Sequence, residues 1–257
     1  MILINCPREY FQTLATNKNY VEIGVYRGEY SKGIFNYNPK KMSLIDPWND
    51  QSESDYLPQD HFGDPETLLK KAFVGSGYYK DGLIQSQKDA YIDVTNTFKE
   101  AVNVTILKGT SEQFYRYFED KSVDFLYIDG NHRYDFVLAD LERWAPKISE
   151  NGIIILDDIY VSPIGKMQHL SVLEAASTFL KLNNFVPVAM NMDPFGNVII
   201  TRSENYTKLL NELIYRVVLT EYRYISLPSC LIHAAHHDVV LYEHEGISYT
   251  KEFLSFE

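Results

Sequence analysis

Short apolar runs that end in charged residues recur in this sequence. The clearest is the stretch 123–132, in which Phe-Leu-Tyr-Ile is followed at once by Asp-Gly-Asn-His. A second is Ile-Ile-Ile-Leu at 153–156, which leads into Asp157 and Asp158, and a third extends from Tyr20 to Gly28. Such runs are typical of parallel strands that helices cover on both faces. Because ligands bind past the carboxyl ends of such strands, we expect a binding site where these acidic residues meet.

Composition narrows the class of protein. The 257 residues are enough for one large domain or for a domain with an appendage, and 45% of them are hydrophobic. The formal net charge of -11 argues against a nucleic-acid partner or an anionic membrane surface, since both require clustered Lys and Arg. With no signal-peptide pattern and no apolar run of membrane-spanning length, we expect a cytoplasmic protein without a membrane partner. Only Cys6 and Cys230 occur, so a disulfide framework or a Cys-based metal site is not expected.

Predicted strands and helices alternate along the middle of the chain. The patterns predict seven strands, at 20–24, 42–46, 104–107, 123–128, 153–156, 185–190 and 197–201. The turn signal Asp-Pro-Phe-Gly at 193–196 indicates that the last two form an antiparallel hairpin at one edge of the sheet. This order predicts an α/β fold with a doubly wound, mostly parallel, seven-stranded Rossmann-like sheet.

Two segments depart from the alternation. Residues 1–203 are predicted to form one domain, interrupted at about 48–88 by a lid-like insert that could contain a helix near 66–73. Residues 204–257 are expected to form a helical and irregular extension that begins with a helix capped by Ser203. The extension could pack on the sheet, close a pocket or join two subunits as a homo-oligomer.

The turn after the first predicted strand reads Glu-Ile-Gly-Val-Tyr-Arg-Gly, from Glu22 to Gly28. Its glycines allow the backbone to approach a ligand closely, and the acid before them can hold an ammonium group. A tight turn without a ligand is the alternative. Asp46 ends the second strand, from where a carboxylate can chelate ribose hydroxyls, although it could equally start the turn with Pro47. Ser111 could contact a base, or Thr110 and Ser111 could simply cap a helix.

With these residues in place, the chain resembles the class I S-adenosylmethionine-dependent methyltransferases over most of residues 20–201. The resemblance implies that S-adenosylmethionine is the cofactor. It also implies a set of cofactor-binding residues, namely Glu22, Gly24, Gly28, Asp46, Ser111 and Glu112, to which we add Tyr26 and Asp129 as further expected contacts.

Within that superfamily, the sequence Asp-Gly-Asn-His at 129–132 followed by Asp157 and Asp158 is similar to the magnesium-dependent O-methyltransferases that modify sugars, such as those of macrolide biosynthesis. The resemblance implies that Asp129, Asp157 and Asp158 hold a divalent cation, Mg²⁺ or Mn²⁺. It also implies that His132 is the catalytic base beside Asp129.

Physical arguments bear on the same residues. Neighbouring strands lie about 4.8 Å apart, so acids at two strand ends can share one ion, and an all-oxygen site suits Mg²⁺ or Mn²⁺ better than zinc. Asp157 and Asp158 would point to opposite faces of a regular strand, so both can be ligands only if the strand has ended. Otherwise one of them caps the next segment or binds water. Metal coordination would lower the pKa of a hydroxyl, and His132 could then take its proton.

Two further groups of residues, one of histidines and one of basic residues, have simple structural explanations as well as functional ones. His233, His236 and His237 have helical spacing that could ligate a transition metal, but no well-placed acid or cysteine completes the set. Arg27, Lys32 and Arg133 could meet a phosphate, for instance on a nucleotide-linked sugar, or could be solvated surface charges.

Taken together, the sequence predicts an S-adenosylmethionine-dependent O-methyltransferase of carbohydrate biosynthesis. Its partner would be a small sugar or sugar-nucleotide substrate, free or linked to a natural product. A catechol-type acceptor, a metal-free enzyme in which His132 acts alone, an oxidoreductase, and a non-catalytic relative that binds a nucleotide-like ligand are the alternatives.

Overall fold

The computed structural model describes residues 1–49, 79–80, 83–84, 87–159, 172–192, 196–244 and 247–256. Its strands are β1 Ile2–Ile4, β2 Asn19–Ile23, β3 Lys41–Asp46, β4 Tyr79–Lys80, β5 Leu83–Ile84, β6 Val104–Lys108, β7 Val123–Ile128, β8 Ile148–Leu156, β9 Phe185–Asn191, β10 Val198–Arg202, β11 Tyr224–Ser226, β12 Ala235–His244 and β13 Ile247–Phe256. The α-helices are α1 Glu29–Phe35, α2 Gln87–Phe98, α3 Ser111–Phe114, α4 Tyr134–Trp144, α5 Val172–Leu182 and α6 Tyr206–Val218. Short 3-10 helices cover Arg8–Ala15, Tyr115–Tyr117, Ala145–Lys147, Ser203–Asn205 and Ser229–Ala234.

A nine-stranded sheet in the order β11-β1-β9-β10-β8-β7-β2-β3-β6 organises the molecule. The strands β6, β3, β2, β7 and β8 are parallel to one another, as the apolar runs predict. Alternate residues of β7 enter two separate cores. Phe125 and Tyr127 pack in the core with α1 and the Arg8–Ala15 helix, while Leu126 and Ile128 pack in the core with α4 and α5. Helices thus cover both faces, and the doubly wound α/β prediction is confirmed.

The strand count is larger than the predicted seven. β1 pairs with β9 in parallel, and β11 pairs with β1 in the antiparallel direction. Both are only three residues long, too short for a period-two pattern to stand out from the sequence. The predicted antiparallel hairpin exists as β9 and β10, but it is not at the sheet edge, because β1 and β11 extend the sheet beyond β9.

The segment after residue 203 contains more strand than expected. Its predicted helix is α6, but β11 then joins the main sheet, and β12 and β13 form a separate antiparallel ribbon. Because Ala235–His244 is a strand, the helical spacing proposed for His236 and His237 is wrong. Most of the predicted lid insert, including the helix expected near 66–73, lies outside the described residues. Among the helices of the described part, none combines the length and apolar character needed to cross a bilayer.

Candidate functional site

The site lies where β2, β7 and β8 end side by side. The ladder pairs Ile23 with Ile128 and Ile128 with Leu156, so the residues that follow each strand stand at the same level of the sheet. The amide of Asp129 donates to the carbonyl of Ile23 at 2.8 Å, and the amide of Asp157 donates to the carbonyl of Ile128 at 3.0 Å. The predicted meeting of acidic strand ends is therefore present in the structure.

The glycine turn after β2 passes directly against the backbone of the neighbouring strand. Gly24 has a φ of +87°, and a Cβ atom built there would lie 1.9 Å from the carbonyl oxygen of Asp129. No side chain can be accommodated at that distance. Gly28 adopts the left-handed conformation, with a φ of +71°, directly before α1. The turn thus brings its backbone to the end of β7.

Asp46 holds this turn in place. One carboxylate oxygen accepts hydrogen bonds from the amides of Val25 and Tyr26, both at 2.9 Å, and the other accepts from the amide of Trp48 at 2.6 Å. Burial raises the pKa of Asp46, and the three amides act in the opposite direction. The indole nitrogen of Trp48 donates to the carbonyl of Tyr26 at 2.7 Å. Asp46 therefore shapes the predicted cofactor turn, while its ribose contact stays a prediction.

Glu22 is a buried carboxyl below the turn. It is 1% exposed, and one of its oxygens accepts hydrogen bonds from the hydroxyls of Tyr20 and Ser31, each at 2.7 Å. Burial raises the pKa of Glu22 to about 8, although these hydrogen bonds favour the charged form. A nearby cation would lower that pKa and stabilise the carboxylate. In the structure its partners are Tyr20 and Ser31, and its contact with an ammonium group stays a prediction.

Asp129, His132 and Asp158 form a compact group at the ends of β7 and β8. Nε2 of His132 lies 3.2 Å from Oδ1 of Asp129, and Nδ1 lies 3.2 Å from Oδ2 of Asp158. Burial lowers the pKa of His132, but the two carboxylates outweigh it and raise that pKa well above its ordinary value. The buried Nε2 has this ion-pair contact but no hydrogen-bond partner among the described residues.

The donor set of this group fits a divalent cation. Ligand atoms from all three residues lie within 4.8 Å of one another, and the group is partly accessible to solvent. Carboxylate oxygens suit Mg²⁺ and Mn²⁺, and an imidazole nitrogen is accepted by transition-metal ions as well. The predicted pair Asp129 and Asp158 is therefore brought together with His132.

Asp157, the third predicted metal ligand, faces elsewhere. It is 2% exposed, and it accepts hydrogen bonds from Arg8 at 2.8 Å and from the side-chain amide of Asn197. Burial raises the pKa of Asp157 well above its ordinary value, as do the charges of Asp129 and Asp158, against the effect of Arg8. The next residue, Asp158, has a φ of +51°, so the chain turns between the two acids. Their carboxylates consequently point to different partners.

The predicted adenine-side residues lie at the start of α3. Thr110 is the N-cap, in a capping box with Gln113, which agrees with the alternative reading of this segment. The hydroxyl of Ser111 donates to Asp140, and Glu112 pairs with Arg143 at 3.0 Å. Both side chains thus contact α4, and their contact with a base stays a prediction.

Two of the three basic residues proposed for a phosphate, Arg27 and Arg133, have acidic neighbours. Arg27 pairs with Asp93 on α2, and Arg133 lies 3.8 Å from Asp135. These contacts favour the simpler reading as surface charge.

Sequence reasoning missed Arg8 and Asn197. Arg8 precedes Asp157 by 149 positions, and it reaches the site only because β1 places the N-terminal segment beside β9. Asn197 directly precedes β10. Neither residue has a local pattern that would distinguish it from an ordinary loop residue.

Comparisons with known proteins bear on this arrangement. The sequence model of the family described as "Methyltransferase domain" matches residues 21–159, which is more than half of the chain. A curated relative, the uncharacterized protein y4gI of Sinorhizobium fredii (strain NBRC 101917 / NGR234), is 45% identical over 47 residues, or 18% of this chain. The match spans only 5% of that relative's length.

Three of the solved structures to which this chain is similar are named as methyltransferases. A proposed type 11 methyltransferase from Sulfolobus solfataricus has a TM-score of 0.48 and 15% identity, with 77% of this chain and 92% of that chain covered. A proposed caffeoyl-CoA O-methyltransferase from Staphylococcus aureus has a TM-score of 0.49 and 13% identity, with coverages of 76% and 80%. The methyltransferase PaMTH1 from Podospora anserina, solved with SAH bound, has a TM-score of 0.48 and 11% identity. The match covers 76% of this chain and 78% of that chain.

The family match extends from within β2 to the end of β8 and includes the acidic residues at the strand ends. It includes the glycine turn, Asp46, and the group formed by Asp129, His132 and Asp158. The chain therefore belongs to the methyltransferase-domain family, and its parallel sheet with a glycine turn supports the class I S-adenosylmethionine-dependent type.

Proposed function

We propose that the protein transfers a methyl group from S-adenosylmethionine to a hydroxyl of a sugar, with assistance from a divalent cation. The observation that carries this proposal is the group formed by Asp129, His132 and Asp158 beside the glycine turn. It combines a candidate base with two metal-type ligands at one strand edge.

The cofactor half of the site would be formed by the glycine turn and its supports. Glu22 would receive the ammonium group of the methionine portion, because its buried carboxyl gains an interaction partner when a cation approaches. Gly24 and Gly28 would let the cofactor lie against the backbone. Asp46 and Tyr26 would line the ribose side, with Ser111 and Glu112 toward the base.

Asp129 and Asp158 would hold the divalent cation. Once bound, the ion supplies positive charge that lowers the pKa of an acceptor hydroxyl. Two neighbouring acceptor oxygens can share one ion, which gives a physical reason for a vicinal diol, and therefore for a sugar. A catechol presents the same pair of oxygens and is the alternative acceptor class.

His132 would act as the general base. Its Nδ1 lies 3.2 Å from Oδ2 of Asp158, and its buried Nε2 lies 3.2 Å from Oδ1 of Asp129. These two carboxylates raise the pKa of the imidazole, so a cation held by them would oppose that effect and favour the neutral ring, whose Nε2 would then take the acceptor proton. The acceptor oxygen then attacks the methyl carbon in line, the bond from sulfur to that carbon breaks, and S-adenosylhomocysteine is left.

Calorimetry tests the cofactor step first. S-adenosylmethionine is titrated into the native protein with and without Mg²⁺, and into Glu22→Ala and the Asp129→Asn variant. We expect micromolar binding by the native protein and none by Glu22→Ala. If the native protein does not bind the cofactor, the methyltransferase proposal fails.

Turnover tests the acceptor class. Methyl transfer is measured against a panel of sugars, sugar nucleotides and catechols, with and without excess chelator. A sugar product that disappears with chelator supports the proposal. A catechol product would move the acceptor to the alternative class, and transfer that survives chelator would support a metal-free mechanism.

A further inference from the structure

The backbone conformation at the end of β8 directs the side chains of its two adjacent acids, Asp157 and Asp158, to different places. The amide of Asp157 continues the ladder to β7, and the amide of Ile159 donates to the carbonyl of Gly196 at 3.0 Å on the opposite side. Asp158 lies between these two anchored residues in the left-handed conformation. The strand therefore ends with a fixed twist, and the side chains of the two acids diverge.

The carboxylate of Asp157 is part of a closed ring of polar contacts. It accepts hydrogen bonds from the guanidinium of Arg8 and from the side-chain amide of Asn197. The backbone amide of Asn197 donates to the side-chain oxygen of Asn191 at 2.5 Å, and the side-chain amide of Asn191 donates to the carbonyl of Cys6 at 3.3 Å. The ring thus begins and ends in the N-terminal segment. Asn191, Asn197 and Asp157 are almost fully buried.

This ring leaves Asp157 poorly placed to bind a cation. Both of its oxygens already accept hydrogen bonds, one of them from a guanidinium. A dication bound to the same carboxylate would lie close to the positive charge of Arg8, and two like charges repel strongly in a buried site. Asp158, by contrast, faces His132 and Asp129.

We propose that Asp157 is a positioning residue, held by Arg8 and Asn197, and that the ring of contacts turns Asp158 alone toward Asp129 and His132, so that Asp129 and Asp158 are the carboxylate ligands of the divalent cation. This inference rests on the proposed function and narrows its metal site. It assigns adjacent identical residues to different roles.

Mn²⁺ binding to the full chain distinguishes these roles, because free Mn²⁺ can be counted by electron paramagnetic resonance. Asp157→Asn and Asp158→Asn make the same chemical change at neighbouring positions, so each is the control for the other. We expect Asp158→Asn to weaken Mn²⁺ binding by several hundred-fold or more, because a ligand is lost, and Asp157→Asn by about tenfold, as for a residue that supports a ligand. Equal losses for the two variants would overturn the proposal.

Asn197→Ala tests the positioning step without changing an acid. Loss of its hydrogen bond to Asp157 should loosen the ring and weaken Mn²⁺ binding several-fold in the native background. In the Asp158→Asn background it should have no further effect, because the group that the ring positions is already gone. An undiminished effect in that background would show that Asp157 contributes to binding by itself, against the proposal.

S-adenosylmethionine affinity, measured for the same variants, separates the two levels of inference. It should be unchanged in all of them. A native protein that binds the cofactor but not Mn²⁺ overturns the metal assignment and leaves the methyltransferase assignment standing. A native protein that binds neither overturns both.

Discussion

His132 is the residue on which the proposed chemistry depends most directly. The His132→Asn variant should bind S-adenosylmethionine as the native protein does, and it should lose methyl transfer by about 100-fold or more, since a general base contributes on that order. Turnover and cofactor titration measure the two effects. If Mn²⁺ affinity falls in parallel with turnover, His132 is a metal ligand and the base must be sought elsewhere.

Glu22 should make the stability of the protein depend on pH. Its pKa is about 8 in the folded chain, against an ordinary value of 4.5, so the folded state holds this proton more tightly than the unfolded state. The stabilisation that protonated Glu22 gives the folded state is fully present below about pH 4.5, and it is lost as the pH rises through about 8.

Glu22→Gln removes this dependence with little change of shape. The melting temperature of the variant minus that of the native protein should increase by at least about 4 °C from pH 5 to pH 9. Thermal unfolding at several pH values measures this difference. The exposed residue Glu142 provides the control, and a Glu142→Gln variant with the same pH trend would contradict the assignment to Glu22.

Gly24 and Gly130 are adjacent glycines in space with opposite tolerance for a side chain. Gly24→Ala would combine a positive φ with a clash against the carbonyl of Asp129, and it should cost at least about 2 kcal/mol of stability and abolish cofactor binding. A Cβ at Gly130 would find its nearest neighbour, a methyl of Ile23, at 3.5 Å. The free energy of unfolding of Gly130→Ala should therefore lie within about 1 kcal/mol of the native value, and denaturant titration measures the difference.

At the scale of the elements, the ribbon of β12 and β13 differs from the main sheet. Each strand has ten residues, and the ribbon is a two-stranded sheet by itself. Two-stranded sheets without further pairing are of marginal stability. Backbone amides of the ribbon should therefore exchange with deuterium much faster than those of β7, and equal protection would mean that another surface covers the ribbon.

The elements also separate what a sequence can predict from what it cannot. The apolar runs of β7 and β8 predict buried parallel strands, and parallel pairing then brings Asp129 and Asp158 together. The separation of Asp157 from Asp158 depends on one left-handed residue and on Arg8, which is far away in sequence. Strand alternation alone predicts that the two acids can diverge, but it does not predict which of them turns away from Asp129. The strands β1 and β11 were missed for a related reason, since three residues have no measurable period.

At the scale of the whole molecule, β1 joins the N-terminal segment to two strands that come much later in the sequence. It lies between β9 and β11, so removal of residues 1–5 should disconnect β11 and break the ring around Asp157. We expect that deletion to abolish cooperative unfolding, whereas deletion of residues 235–257 should shift the melting temperature of the main transition by only a few degrees. Calorimetric unfolding of both variants tests this. Equal damage from the two deletions would mean that the ribbon supports the main sheet.

The placement of β1 also has a consequence for how the protein is made. Ile2 pairs with Ala189 on one side and Ser226 on the other, so β1 must wait for partners that are synthesised much later. Contacts between residues so distant in sequence form slowly. On the ribosome, the strands β2, β3, β6, β7 and β8 are complete before β9 and β11 are synthesised, while Arg8 still lacks its place beside Asp157. We therefore expect an incomplete chain to form the parallel strands while the turn that separates Asp157 from Asp158 is still unordered.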